Sequence, residues 1–186
     1  MPRVQGVPCM FSVIIATRDS ERALVATLAA LVPGATAGII REVIIADGGS
    51  RDGTEQVADV AGCRFFSSDQ PLGGRLTSVA ARARGEWLMF LAPGIVPEPG
   101  WIEECAAFVG TSGEAAVFAR IGMIARLRRV ANLLPRPEQG LIIRKSFYDA
   151  LGGHRAREAD APFDLLRRIG RWRLVTLRTA AARTDI

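Results

Sequence analysis

From Phe11 to Leu91 the chain alternates between short apolar runs and longer helical stretches, and this alternation constrains the fold more than any other feature of the sequence. The apolar runs are rich in β-branched residues and predict buried strands at 11–17, 43–46, 64–67 and 87–91. A stretch of helical character separates each strand from the next. Strands that alternate with helices form parallel, doubly wound sheets. The sequence therefore predicts an α/β fold with a mostly parallel, Rossmann-like sheet and helices on both faces.

Length and composition indicate a single domain. The chain has 186 residues, of which 49% are hydrophobic. This is enough for one hydrophobic core of ordinary size but too little for two. We find no repeat, linker or low-complexity segment that would divide it. We expect an N-terminal extension at 1–10 and one domain at 11–180. Within that domain, Pro33 and Gly34 predict that the first helix ends near Val32.

Three loops follow the carboxyl ends of predicted parallel strands, where such sheets bind their ligands. They lie at 17–19, 47–49 and 92–94. In the second loop, Asp47 precedes Gly48 and Gly49, which permit backbone angles and a close approach that other residues would obstruct. One interpretation is a free carboxylate that accepts hydrogen bonds from a nucleobase or a ribose. The alternative is an ordinary turn in which Asp47 bonds its own backbone.

Four blocks of the sequence resemble, in the same order, the family 2 glycosyltransferases. The block at 12–17 is a generic strand, and another lies at 83–91. Two blocks are specific, and they read Glu42-Val-Ile-Ile-Ala-Asp-Gly-Gly-Ser-Arg-Asp-Gly-Thr54 and Gln139-Gly-Leu-Ile-Ile-Arg-Lys-Ser-Phe-Tyr-Asp-Ala-Leu-Gly-Gly153. The helix at 164–169 also looks like the one that follows them in the family. The resemblance spans nearly the whole chain.

This resemblance implies the nucleotide-diphospho-sugar fold called GT-A, with a nucleotide-sugar as the donor. Thr17, Asp19 and Asp47 would then face the nucleotide, and Asp47 would contact the base or ribose. Arg75 falls where such enzymes hold the donor diphosphate. The alternative for Arg75 is a solvated position on a helix surface. The implied reaction passes a sugar to an acceptor hydroxyl with inversion.

The metal motif of the family is absent from this sequence. Family members carry an Asp-x-Asp, or a shortened version ending in Asp, whose carboxylates hold a divalent cation on the diphosphate. The corresponding residues here are Ala92, Pro93 and Gly94, which offer no carboxylate oxygen. We therefore expect neither Mg²⁺ nor Mn²⁺ as a cofactor, and Arg side chains could stabilise the diphosphate instead.

The catalytic base of the family is also displaced. An acidic pair normally precedes the late helix, but Ala161 and Pro162 occupy those positions. Asp160 and Glu158 lie just upstream and could deprotonate the acceptor hydroxyl if the loop is shifted in register. The alternative is that both are exposed loop carboxylates. A chain without metal or base would be a catalytically inactive GT-A module that binds a nucleotide, a sugar or a partner protein.

Charge favours acidic partners, because the net charge is +5 and nearly all the positive charge is Arg. Arg matches phosphate well, although codon bias also enriches it.

The basic amphipathic stretch at 121–134 fits either peripheral contact with a membrane that carries a lipid-linked acceptor, or an ordinary surface helix. The aromatics form no stacking platform, so nucleic acid is not expected. The longest apolar stretch is too short to span a membrane, since a span needs about 20 residues.

Cys9, Cys63 and Cys105 are scattered and odd in number, which predicts reduced residues in a cytoplasmic protein. His154 is the single histidine of the chain. It could act as a base near its ordinary pKa, but no orienting partner can be named from the sequence. The alternative is a packed or exposed side chain.

Overall fold

The computed structural model describes residues 10–120, 140–155 and 160–184. Among these residues eight strands form one sheet. Their bounds are β1 Phe11–Thr17, β2 Ile40–Asp47, β3 Arg64–Ser67, β4 Trp87–Leu91, β5 Ile95–Pro97, β6 Ala115–Arg120, β7 Leu141–Arg144 and β8 Leu174–Arg183. The described helices are α1 Glu21–Thr36, α2 Thr54–Val60, α3 Leu72–Ala81, α4 Trp101–Val109, α5 Lys145–Ala150 and α6 Ala161–Ile169.

The strand order is β3-β2-β1-β4-β7-β6-β8-β5. The first four strands in this order run parallel, as the strand–helix alternation predicts. β7 then runs antiparallel to β4, and β6 and β8 pair parallel to each other. The predicted mostly parallel α/β sheet with helices on both faces is confirmed. Because β1, β2 and β4 are neighbours and parallel, the loops that follow them meet at one edge of the sheet.

The alternation of side chains along the strands divides the core into two layers. On β1, Val13 and Ile15 face one side of the sheet, where they join an apolar cluster that contains Leu24 of α1 and Phe108 of α4. Ile14 faces the other side and joins a second cluster formed with α3, α5 and α6. Both faces of β1 are therefore buried, which explains its continuous apolar sequence.

The predicted end of α1 is wrong, because the helix continues through Pro33 to Thr36. Gly34 is buried against the ring of Trp101, so closely that a Cβ atom at position 34 would overlap the ring. This packing holds the last turn in helical form, although Pro33 supplies no backbone N–H. Tertiary contact thus overrides the helix-breaking signal.

Several earlier expectations fall outside the described residues. They are the N-terminal extension at 1–10, of which only Met10 is described, together with Cys9, the basic stretch at 121–134 and the candidate base Glu158. Within the described part of the chain, none of the helices is long and apolar enough to cross a bilayer.

Candidate functional site

The carboxyl ends of β1 and β2 place Thr17 directly beside Asp47. The two residues are register partners in the parallel pair, and the Thr17 hydroxyl donates to Asp47 Oδ1 at 2.9 Å. The sequence reasoning expected these positions to share an edge, and the structure brings them together.

The prediction that Asp47 presents a free carboxylate is wrong. Its side chain is buried, and only 1% of the residue is exposed. Oδ2 accepts the backbone N–H groups of Gly49 at 2.8 Å and Ser50 at 2.9 Å and also the Ser67 hydroxyl, while the Ser50 hydroxyl donates to Oδ1. Burial would raise the pKa of this carboxyl, but the bonds from Ser50, Thr17 and Gly49 outweigh it and lower the pKa below its ordinary value. Asp47 therefore orders its own turn, which is the alternative that the sequence left open.

Further carboxylates join the turn after β2 to the start of α1. Asp19 has a left-handed backbone, with φ of 47°, and its Oδ1 accepts the N–H of Arg51 at 2.7 Å. Asp52 Oδ2 accepts the N–H of Glu21 at 3.0 Å, which satisfies a free amide at the first turn of α1. The carboxylate of Asp19 is thus committed to the neighbouring loop, and Asp19 does not line the cavity described below.

Arg75 reaches from α3 to the same strand ends. Its Nη1 donates to the carbonyl oxygens of Thr17 at 3.1 Å and Ala46 at 2.8 Å. The guanidinium occupies the space beside Gly48, because a Cβ atom there would lie 2.7 Å from Nη1. Burial lowers the pKa of Arg75 while Asp47 raises it, and an arginine remains charged at neutral pH in either case. The structure therefore places a fixed positive charge at the edge of the sheet where the parallel strands β1 and β2 end.

A cavity of about 410 Å³ opens beside Arg75. Its polar lining comes from Thr17, Arg18, Arg75, His154 and Asp160. Apolar residues of α3, β4, β7 and α6 contribute most of the remaining wall. The predicted residues Thr17, Arg75 and Asp160 thus meet around one space, although they lie far apart in the sequence.

The loop after β4 is hydrogen-bonded to α1 and offers no side-chain ligand for a metal. The N–H of Gly94 donates to the Ala23 carbonyl at 3.0 Å and the Thr27 hydroxyl at 2.9 Å, both on α1. Ala92 lines the cavity without offering an oxygen ligand from its side chain. In the described segments, no cluster of three or more His, Cys, Asp or Glu residues is arranged to hold a metal ion. The residues at this position therefore do not fit the divalent cation of the Asp-x-Asp motif.

The start of α6 presents Asp160 to the cavity. Asp160 is the N-cap residue of this helix and is exposed, but its side chain makes no capping hydrogen bond. Asp164, one turn later, is instead bonded to Arg168 Nε at 2.8 Å. Asp160 is thus the acidic side chain of the described residues that lines this cavity.

Comparison with known proteins identifies the family. The sequence profile of the family described as Glycosyl transferase family 2 matches residues 12–168. The chain belongs to glycosyl transferase family 2. No curated protein sequence matches it.

Solved structures of glucosyl-3-phosphoglycerate synthase from Mycobacterium tuberculosis share the fold of this family 2 chain. The complex with Mn²⁺, UDP and glucosyl-3-phosphoglycerate has a TM-score of 0.73 at 17% identity, and the match covers 95% of this chain and 72% of that chain. The complex with Mn²⁺ and UDP-glucose gives 0.71 at 18% identity with the same coverage. The complex with Mg²⁺ and UDP gives 0.70 at 17%, again with 95% and 72% covered. These similarities confirm the predicted GT-A fold.

Sequence reasoning did not single out two side chains at or behind this cavity, Arg18 and Tyr148. Arg18 lines the cavity, and its position directly after β1 could have signalled this. Tyr148 lies behind the cavity wall and bonds the imidazole of His154, with 2.9 Å between the phenol oxygen and Nδ1. No sequence pattern pairs these two residues, because their contact depends on the turn after α5. His154 is therefore packed, as one of its two alternatives proposed.

Proposed function

We propose that this chain transfers a sugar from a nucleotide-sugar to an acceptor hydroxyl, with inversion at the anomeric carbon. The proposal rests mainly on one observation: a single cavity joins Thr17 and Arg75 at the strand ends to the carboxylate of Asp160. Membership of glycosyl transferase family 2 supports the class of reaction. The similar synthase structures contain UDP or UDP-glucose, which supports a nucleotide-sugar as the donor.

The donor would lie with its nucleoside against the turn after β2 and its diphosphate beside Arg75. Gly48 and Gly49 keep this turn free of side chains, so the nucleoside can approach the backbone. Asp47 contributes by holding the turn in shape rather than by contacting the base. Arg18 and Arg75 provide positive charge for the diphosphate, since both line the cavity.

The chemical step needs a base and a stabilised leaving group. Asp160 would accept the proton of the acceptor hydroxyl as that oxygen attacks the anomeric carbon. The bond from this carbon to the phosphate oxygen breaks, and the nucleoside diphosphate leaves with the electron pair. Positive charge from Arg75 stabilises the developing negative charge on the diphosphate. Glu158 remains the second candidate for the base.

Because the loop after β4 does not fit a cation, we propose that donor binding needs no divalent metal. Thermal-shift measurements with UDP-, GDP- and dTDP-sugars, each with EDTA or with Mn²⁺, test this directly. We expect one nucleotide class to raise the melting temperature equally under both conditions. Stabilisation that requires Mn²⁺ would contradict the proposal, and no stabilisation by any donor would argue against a donor site.

A second candidate function is a GT-A module that binds the donor without turnover. The absence of acidic side chains at Ala92–Gly94 and Ala161–Pro162 favours it. Donor binding by thermal shift, combined with no release of nucleoside diphosphate over a panel of acceptors, would select this function. Release of nucleoside diphosphate that depends on the acceptor would select the transferase.

The acceptor class is a further proposal. A lipid-linked hydroxyl at the cytoplasmic face of a membrane suits the basic composition of the chain. Co-sedimentation with vesicles that contain anionic lipid, compared with neutral vesicles, would test peripheral contact. Equal recovery from both vesicle types would remove the membrane from the proposal.

A further inference from the structure

The proposed reaction leaves the buried imidazole of His154 without a role. Only 3% of this residue is exposed, yet it lines the cavity. Its ring packs edge-on against Phe90, with ring centroids 4.9 Å apart. Phe90 lies on β4 and also lines the cavity, together with Leu91 and Ala92 at the end of that strand. The imidazole therefore stands above the strand end at which the family carries its acidic motif.

The hydrogen bonds around Tyr148 favour one of the two imidazole tautomers of His154. The backbone N–H of His154 donates to the phenol oxygen at 3.1 Å, and the Thr77 hydroxyl donates its own proton to the His154 carbonyl at 2.7 Å. The single proton of the phenol then has two acceptors, Nδ1 at 2.9 Å and Thr77 Oγ1 at 3.5 Å. If Nδ1 carried the proton, it would donate to the phenol oxygen, and the phenol could donate only across the long 3.5 Å contact to Thr77. The geometry therefore favours donation from Tyr148 to Nδ1. Nε2 consequently carries the imidazole proton.

The surroundings also keep this imidazole neutral. Burial and the charge of Arg168 lower the pKa of His154 to about 3, although Asp164 acts in the opposite direction. Burial raises the pKa of Tyr148, so the phenol keeps its proton. Arg168 also donates to the carbonyls of Leu151 and Gly153, which fixes the turn that carries His154. Nε2 has no hydrogen-bond partner among the described residues.

We propose that the Nε2–H of His154 donates a hydrogen bond to a hydroxyl oxygen of the donor's sugar and thereby helps to select that sugar. The inference rests on the proposed function, because it places the sugar in the same cavity. A neutral N–H suits an uncharged hydroxyl, whereas Arg18 and Arg75 serve the charged diphosphate. Because the hydrogen bond from Tyr148 sets the tautomer, the Nε2–H group is in place before the sugar binds.

Nitrogen-15 NMR on the unaltered protein tests this inference, because His154 is the single histidine and its imidazole needs no assignment. We expect one protonated and one unprotonated ring nitrogen, with no titration between about pH 5 and 8. Addition of UDP-glucose, GDP-mannose or dTDP-glucose, whichever stabilises the protein, should shift the Nε2 resonance. The matching nucleoside diphosphate, which lacks the sugar, should leave it in place.

The outcomes separate the inference from the proposed function. If a nucleotide-sugar binds but Nε2 does not shift, or shifts equally with the nucleoside diphosphate, the role of His154 is overturned and donor binding stands. If Nδ1 carries the proton, the tautomer is wrong and the inference fails. If no nucleotide-sugar binds, the proposed function fails and the inference fails with it.

A pair of variants provides a second readout. His154→Leu removes the N–H, while His154→Gln keeps an amide N–H near the position of Nε2. We expect His154→Leu to weaken nucleotide-sugar binding about 3- to 10-fold, which corresponds to one hydrogen bond, and to leave nucleoside diphosphate binding unchanged. His154→Gln should recover part of the loss. Equal weakening of both ligands in both variants would indicate a structural role and contradict the inference.

Discussion

Two regions beside the cavity differ in what their carboxylates do. At the ends of β1 and β2, Asp47 and Asp52 are bonded to backbone N–H groups and hold the loops together. At the end of β4 and the start of α6, the carboxylates of the family pattern are replaced by Ala92–Gly94 and Ala161–Pro162. Only Asp160 offers an acid to the cavity from the described residues there. The hydrogen-bonded turn after β2 is thus complete, whereas the proposed chemistry would depend on a single displaced carboxylate, Asp160.

The largest expected effect comes from removing that side chain. Asp160→Asn should lower the turnover number by about 10²- to 10⁴-fold, because a positioned base contributes that much to the rate. Donor affinity should remain unchanged. The measurement is the initial rate of nucleoside diphosphate release in the presence of an acceptor. Asp59→Asn, at an exposed carboxylate on α2, is the matched control and should keep full activity.

Retained turnover in the Asp160→Asn protein would contradict the assignment of Asp160 as the base. Glu158 would then become the candidate base, and Glu158→Gln should abolish activity in its place. Full activity in both variants would show that neither Asp160 nor Glu158 is the base.

Removing Asp47 should affect folding more than chemistry. Asp47→Ala leaves the buried N–H groups of Gly49 and Ser50 without their acceptor, so we expect the free energy of unfolding to fall by about 3 kcal/mol. Urea denaturation measures this loss. Asp69→Ala, in the exposed loop before α3, is a control that should change stability little. A stable Asp47→Ala protein with lower donor affinity would instead support the direct nucleotide contact that the sequence suggested.

Lowering the pH should destabilise the turn after β2, because the carboxylate of Asp47 becomes protonated. The folded-state pKa of Asp47 lies below the ordinary value of 3.8. Its contribution to stability is therefore fully present above the unfolded-state pKa and is lost as the pH falls through the folded-state pKa. Between about pH 6 and pH 3, the wild-type protein should lose more free energy of unfolding than Asp47→Ala does. Parallel losses in the two proteins would contradict this assignment.

The smallest expected effect tests the contact between Gly48 and Arg75. Gly48→Ala places a Cβ atom against the guanidinium, and we expect a loss of about 1 kcal/mol, since the end of a long side chain can move aside. Donor affinity should fall as Arg75 shifts. In the background of Arg75→Ala, the same Gly48→Ala substitution should cost less stability, which a double-mutant cycle measures. Additive effects would mean that the two residues do not share this space.

The strands were well predicted from the sequence, because hydrophobic periodicity, β-branched composition and the residues that end a strand are all local signals. β1, β3 and β4 have the bounds that their apolar runs indicated. The end of α1 was wrong because the packing of Gly34 on Trp101 is not visible in the local sequence. β5 was missed because three residues with a proline carry no strand signal, and pairing with β8 alone defines it.

The candidate site was predictable in position but not in detail. Parallel strand order brings Thr17 and Asp47 together, and this follows from the sequence pattern. Whether the Asp47 carboxylate is free or bonded depends on the N–H groups of its own turn, whose orientation the sequence does not specify. The partnership of Tyr148 with His154 likewise depends on the turn after α5 and on Arg168, which holds it.

A crystal structure of the protein soaked with UDP in the presence of EDTA would show whether the cavity beside Arg75 holds a nucleotide without a metal ion. We expect the nucleoside against the turn after Asp47 and the diphosphate within hydrogen-bonding distance of Arg75 or Arg18, with no metal ion. UDP bound outside the cavity lined by Thr17 and Arg75, or bound only after a divalent cation is added, would contradict this expectation.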